Sequence, residues 1–181
     1  MNKTYIGVIG SSGDIDRDVL DAADNIGMLI AQRDGILVCG GRGGVMEASS
    51  RGAKSEGGQT VGILPGLDRE DSNPYLDVAI PTGLGSALRN FITVRSCHAL
   101  IMLHGRIGTL SEVVIAYQHG IPVVALQPTE GWADRLRTAL LDEGAYFDDR
   151  RQMEIHYAQT AEEAVNLAFD LVGTVPRPDE I

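Results

Sequence analysis

The chain is short of everything that staples or metallates a small protein. It holds two cysteines, Cys39 and Cys97, in 181 residues. Both sit among apolar residues, with no Cys or His partner at zinc-ligand spacing, so a disulfide framework and a zinc site are excluded and buried free thiols are expected. That usage fits a reducing compartment, and a cytoplasmic location is the expectation. The four histidines, His98, His104, His119 and His156, show no metal-ligand spacing either. No run of about 20 apolar residues occurs, which excludes a helical membrane span. The opening MNKTYIGVIG leads straight into a strand and lacks the pattern of a signal peptide. Positive charge is the minority, with 15 Lys and Arg against 25 Asp and Glu, a net charge of −10. A general nucleic-acid binder needs a basic face, so that class is set aside. Three catalytic signatures are missing as well: GxxxxGK[ST], GxSxG and GxGxxG. The last absence makes an NAD dehydrogenase a poor reading.

Glycine is plentiful, with 22 residues, many of them at turns. Short apolar runs alternate with amphipathic stretches along the chain. Strands are expected at 5–9, 36–39, 60–64, 99–103 and 123–126, with short ones at 78–80 and 155–157. Helices are expected at 16–33, 45–56, 88–97, 109–119, 132–142 and 161–172. The strands are apolar on both faces, as in a sheet covered by helices on each side. The fold class read from this is α/β, a doubly wound parallel sheet. One domain over 1–175 and a loose tail over 176–181 are expected.

Three glycine turns follow three of these strands: Gly10-Ser11-Ser12-Gly13, Cys39-Gly40-Gly41-Arg42-Gly43-Gly44-Val45-Met46, and His104-Gly105-Arg106-Ile107-Gly108-Thr109. Each hands a strand over to a helix, whose first N–H groups lack partners within the helix and favour an anion. Together they point to a nucleotide-type ligand at one edge of the sheet. Each feature also has a plainer reading. The glycines could serve only tight turns and close packing. Thr109-x-x-Glu112 has the spacing of a capping box, against a role for Glu112 as acid, base or sugar-hydroxyl acceptor. Arg89 reads either as a surface ion pair or as a cation near a helix start that pairs with a ligand anion or a carboxylate.

The stretches GGRGGVMEASSRGAKSEGGQTVGILPG and LRNFITVRSCHALIMLHGRIGTLSEVVIAYQHGIPVVAL resemble the two signatures of the superfamily that holds the LOG phosphoribohydrolases and the molybdenum cofactor carrier proteins. The resemblance covers roughly 5–127 and is nearer the carrier branch, through Arg89-Asn90 and GTLSE. It implies a Rossmann-like nucleotide-binding fold and a homodimer or homotetramer. It also implies a phosphorylated small-molecule ligand, either molybdenum cofactor or a nucleoside monophosphate, with no cofactor required; the acidic charge and the lack of a long apolar run leave neither nucleic acid nor membrane as an expected partner. Carried over by position, it implies a ligand site at Gly10, Ser11, Ser12, Gly40, Gly41, Gly43, Gly44, Val45, Met46, Arg89, Asn90, Gly105, Arg106, Ile107, Gly108, Thr109 and Glu112. In a hydrolase, Arg89 and Glu112 would be the catalytic pair. Two departures favour a carrier over a hydrolase. His104-Gly105-Arg106 stands where the superfamily has Pro-Gly-Gly or Gly-Gly-Gly, and Leu88-Arg89-Asn90 stands where LOG enzymes carry Met-x-x-Arg-Lys. A non-catalytic subunit that assembles through its helices is a third reading.

Overall fold

The computed structural model describes residues 3–174. The tail expected at 176–181 lies outside the described residues. The chain runs β1 (Tyr5–Gly10), α1 (Arg17–Gln32), β2 (Ile36–Cys39), α2 (Val45–Ser55), β3 (Gln59–Leu64), β4 (Val78–Pro81), α3 (Gly85–Arg95), β5 (Ala99–Leu103), α4 (Ile107–Gln118), β6 (Val123–Leu126), α5 (Gly131–Ala139), β7 (Ile155–Ala158) and α6 (Ala161–Asp170). A short 3-10 turn, Asp142–Gly144, precedes β7.

All seven strands form one sheet in the order β4-β3-β2-β1-β5-β6-β7. Every pairing is parallel, including the two short outer strands. Alternate strand residues feed two cores, because successive side chains point to opposite faces. Ile6, Val8, Leu37, Cys39, Ile101 and Leu103 pack beneath α1, α2 and α6. Ile9, Val38, Leu100, Met102, Val123 and Ile155 pack beneath α3, α4 and α5. The sheet is therefore doubly wound and Rossmann-like, as the two-sided apolar strands implied.

Strand order reverses between β1 and β5, which are neighbours in the sheet. The loops after these strands leave toward opposite faces and open a crevice at the carboxyl edge. The first and third glycine turns occupy that point. The second is brought in by α2, which packs closely on α1. A Cβ on Gly27 of α1 would collide with the Ser49 carbonyl, and one on Gly52 of α2 with the Asp24 carbonyl. This contact fixes where α2 begins. Gly52→Ala should therefore lower stability by about 1–3 kcal/mol, the usual range for overpacking. Urea unfolding midpoints compare the two proteins, and an unchanged midpoint would show that the two helices can separate freely.

Candidate functional site

A cleft of about 220 Å³ opens at the carboxyl edge, and all three glycine turns reach it. Its lining includes Gly10, Ser11, Ser12, Gly40, Met46, Arg89, Asn90, Arg106, Gly108, Thr109 and Glu112. Gly41, Gly43, Gly44, Val45, Gly105 and Ile107 belong to the same turns but do not line the cleft. Val8, Ile9, Arg42 and Ser86 also line it. They were not anticipated. Arg42 lies inside the second turn itself and could have been taken from its neighbours there.

The turns lock to one another through the backbone. Gly44 caps α2 at φ 67, a left-handed conformation. A Cβ there would collide with the Ser11 carbonyl, which accepts the Val45 N–H at 3.1 Å. Only glycine meets both demands. The third turn is held from its far side. His104 is itself left-handed at φ 55. Its carbonyl accepts the Ala133 N–H at 2.7 Å, and the Gly105 carbonyl accepts the Trp132 N–H at 3.0 Å. Two carbonyls of this turn thus point to the start of α5. His104 Nδ1 lies 3.0 Å from Ser11 Oγ, and its N–H donates to Thr129 Oγ1 at 2.8 Å. These ties join the third turn to the first and to the end of β6.

Of the two readings of Thr109 and Glu112, the capping box does not form. α4 starts at Ile107 with Arg106 as its cap residue, and no side chain caps it. Thr109 is already inside the first turn. Glu112 is one turn further on, buried and 6% exposed, and it lines the cleft. Arg106 has φ −108. The position therefore carries no left-handed strain, and an arginine fits it without backbone cost.

Arg89 is not a surface residue. α3 starts at Gly85, three residues earlier than expected, so Arg89 falls in its second turn on the buried face. It is 7% exposed, and its Nε is buried with no hydrogen-bond partner among the described residues. The guanidinium packs against Gly40, where a Cβ would collide with Nη1 and would stand 2.7 Å from Met46 Sδ. Asn90 is engaged within the protein: its amide donates to the Gly108 carbonyl at 3.2 Å and to Ser111 Oγ at 2.9 Å. It ties α3 to the start of α4.

The electrostatics follow from this burial. Glu112 makes no hydrogen bond to the described residues, and burial pushes its carboxyl up to about 8, with Arg89 only partly opposing. Arg89 is lowered from its ordinary value by burial, against the pull of Glu112. Cys39, beneath Gly40, is raised by burial and stays a thiol. At neutral pH the cleft therefore holds three arginines and a largely neutral acid, a positive pocket in a chain of charge −10. No group of His, Cys, Asp and Glu among the described residues could hold a metal ion.

A family model matches residues 3–165, and its description is the SLOG cluster4 family. The chain belongs to that family. It is similar to the molybdenum cofactor binding protein of Rippkaea orientalis at 34% identity and TM-score 0.82, covering 95% of this chain and 99% of that one. It is similar to the molybdenum cofactor carrier protein of Chlamydomonas reinhardtii at 34% identity and TM-score 0.77, covering 93% and 98%. A cytokinin riboside 5'-monophosphate phosphoribohydrolase of Mycobacterium tuberculosis is 34% identical over 139 residues, 70% of this chain and 73% of that protein.

Burial of Glu112 makes a stability prediction. The unfolded carboxyl ionises near 4.5 and the folded one near 8, so stability is full below pH 4.5 and falls as pH rises to about 8. Glu112→Gln cannot ionise. Its advantage in melting temperature should be nil near the acid end and grow to several degrees above pH 8, at roughly 2–4 °C per kcal/mol. Thermal unfolding across pH measures this, and a pH-independent difference would contradict the burial of a neutral acid.

Proposed function

We propose that the cleft binds a small phosphorylated, nucleotide-like molecule, and that the protein is a binding or carrier protein of the molybdenum-cofactor-carrier type. One observation carries the reading: Arg89 lines the cleft where strand order reverses, and it is charged and buried, with no hydrogen-bond partner at Nε among the described residues. A buried donor without an acceptor costs about 1–3 kcal/mol, more when charged. An anionic ligand relieves that cost and accepts from the first N–H groups of α4 at the same time. Gly108 leaves open space there, since a Cβ on it would meet nothing within 4 Å.

The carrier reading is preferred to the hydrolase reading on Glu112. A phosphoribohydrolase of the LOG type would use it to assist water at the ribose carbon. Here burial keeps the acid largely protonated at neutral pH, and no other carboxylate and no histidine among the described residues lines the cleft. A protonated acid donates a hydrogen bond but takes no proton from water at neutral pH. Similarity to the Rippkaea and Chlamydomonas proteins spans nearly the whole of both chains, which adds weight. Leu84, Leu88 and Phe91 leave an exposed apolar stripe at helical spacing along α3, which fits a homodimer or homotetramer.

Arg89→Met keeps most of the buried volume and removes the charge. It should weaken binding of a nucleoside monophosphate by about 1.5–3 kcal/mol, ~10- to 150-fold, as loss of a charge-assisted hydrogen bond does. Calorimetric titration gives the affinity. The same ligands incubated at neutral pH should release little or no free base. Rapid release that disappears in Glu112→Gln would replace the carrier by a hydrolase.

A further inference from the structure

The cleft carries more positive charge than one phosphoryl group uses. Its three arginines face a single acid, Glu112. They stand in different places. Arg89 is deep, packed against Gly40 of the second turn. Arg106 is at the exposed cap of α4. Its guanidinium reaches over the first turn, with Nη1 3.9 Å from where a Cβ on Gly13 would stand. No hydrogen bond or ion pair among the described residues holds it. Arg42 stands on the outer side of the second turn, in a long 3.4 Å ion pair with Asp71 across an exposed surface. Such a pair is weak and easily exchanged for a ligand. Arg42 is also near enough to Arg89 to disfavour its charge. A single deep phosphate therefore leaves Arg106 unanswered and Arg42 held only by its exposed pair with Asp71.

We propose that the cleft has two anion subsites: an inner one on Arg89 and the start of α4, and an outer one on Arg106, assisted by Arg42. The protein then selects ligands that carry two anionic groups, such as a diphosphate or a phosphomonoester with a second acidic substituent, over a simple monophosphate. The inference rests on the phosphate reading of the inner site and adds the outer one. A flexible guanidinium at the rim suits this task, because its planar fork accepts either a phosphoryl or a carboxylate group. The arginine that interrupts the glycine turn becomes the residue that sets ligand choice.

The test titrates inorganic phosphate, pyrophosphate and tripolyphosphate by calorimetry at neutral pH and constant ionic strength. Arg106→Gly is structurally mild, since the position is an exposed helix cap with no side-chain bond. In the unaltered protein, one of the longer anions should bind at least about tenfold more tightly than phosphate. Arg106→Gly should bring that ratio below about threefold and leave phosphate affinity within about twofold. Arg135→Ala, on α5 and outside the cleft lining, controls for net charge and should keep the ratio. A ratio that survives Arg106→Gly, or is absent from the start, overturns the outer subsite. So does tighter phosphate binding in Arg106→Gly, which would make Arg106 a plug. Arg89→Met separates the two levels. If it abolishes phosphate binding while the ratio test fails, the inner site stands alone, and if it changes nothing, the inner reading fails too.

Discussion

A guanidinium packed against a glycine organises this site. Arg89 reaches the floor of the cleft only because Gly40 has no side chain, and its Nε meets no acceptor there among the described residues. A protein interior that keeps a charged donor unpaired keeps it against a cost, since folding alone would favour a paired or apolar group. The neighbouring acid does not settle the balance. Glu112 is buried too, and burial holds it in the neutral form through the neutral pH range. Two ionisable groups thus face one small space with one positive charge between them, and the proposed anion would balance it.

The fold supplies the rest. Parallel pairing of β1 with β5 puts two strand ends side by side with their connections leaving to opposite faces. The close crossing of α1 and α2 sets where the second turn stands, and the Gly44 contact with Ser11 joins it to the first. The start of α5 draws the carbonyls of His104 and Gly105 away from the cleft. Each of these contacts fixes the direction of a group that could meet a ligand.

Much of this was legible in the residues. Two-sided apolar strands gave the doubly wound sheet, and glycine turns after three strands gave the cleft, because both signals are local. What escaped was tertiary. Thr109-x-x-Glu112 and Thr160-x-x-Glu163 have the same spacing. Only the second caps its helix: Thr160 Oγ1 accepts from the Glu163 N–H at 3.1 Å, and the Glu163 carboxylate reaches back past the cap to accept from the Gln159 N–H at 2.7 Å. The first fails because α4 begins two residues before Thr109, which turns Glu112 inward. The burial of Arg89 has a related cause: Gly85 opens α3 three residues early and turns Arg89 to the buried face, which excludes the surface ion pair and leaves the cleft-facing reading. Helix boundaries shift by a few residues without a clear local signal, and a shift of that size changes which face a side chain takes. The left-handed His104 and its bond to Ser11 had no signal in the sequence.

The central claim is that the unpaired Arg89 Nε awaits an anion. A crystal structure with a bound nucleoside monophosphate tests it most directly. The account predicts a phosphate oxygen within about 3.2 Å of Nε, the reach of a hydrogen bond, with other oxygens on the first N–H groups of α4. A monophosphate held elsewhere on the protein, with Nε still unpaired, would contradict it.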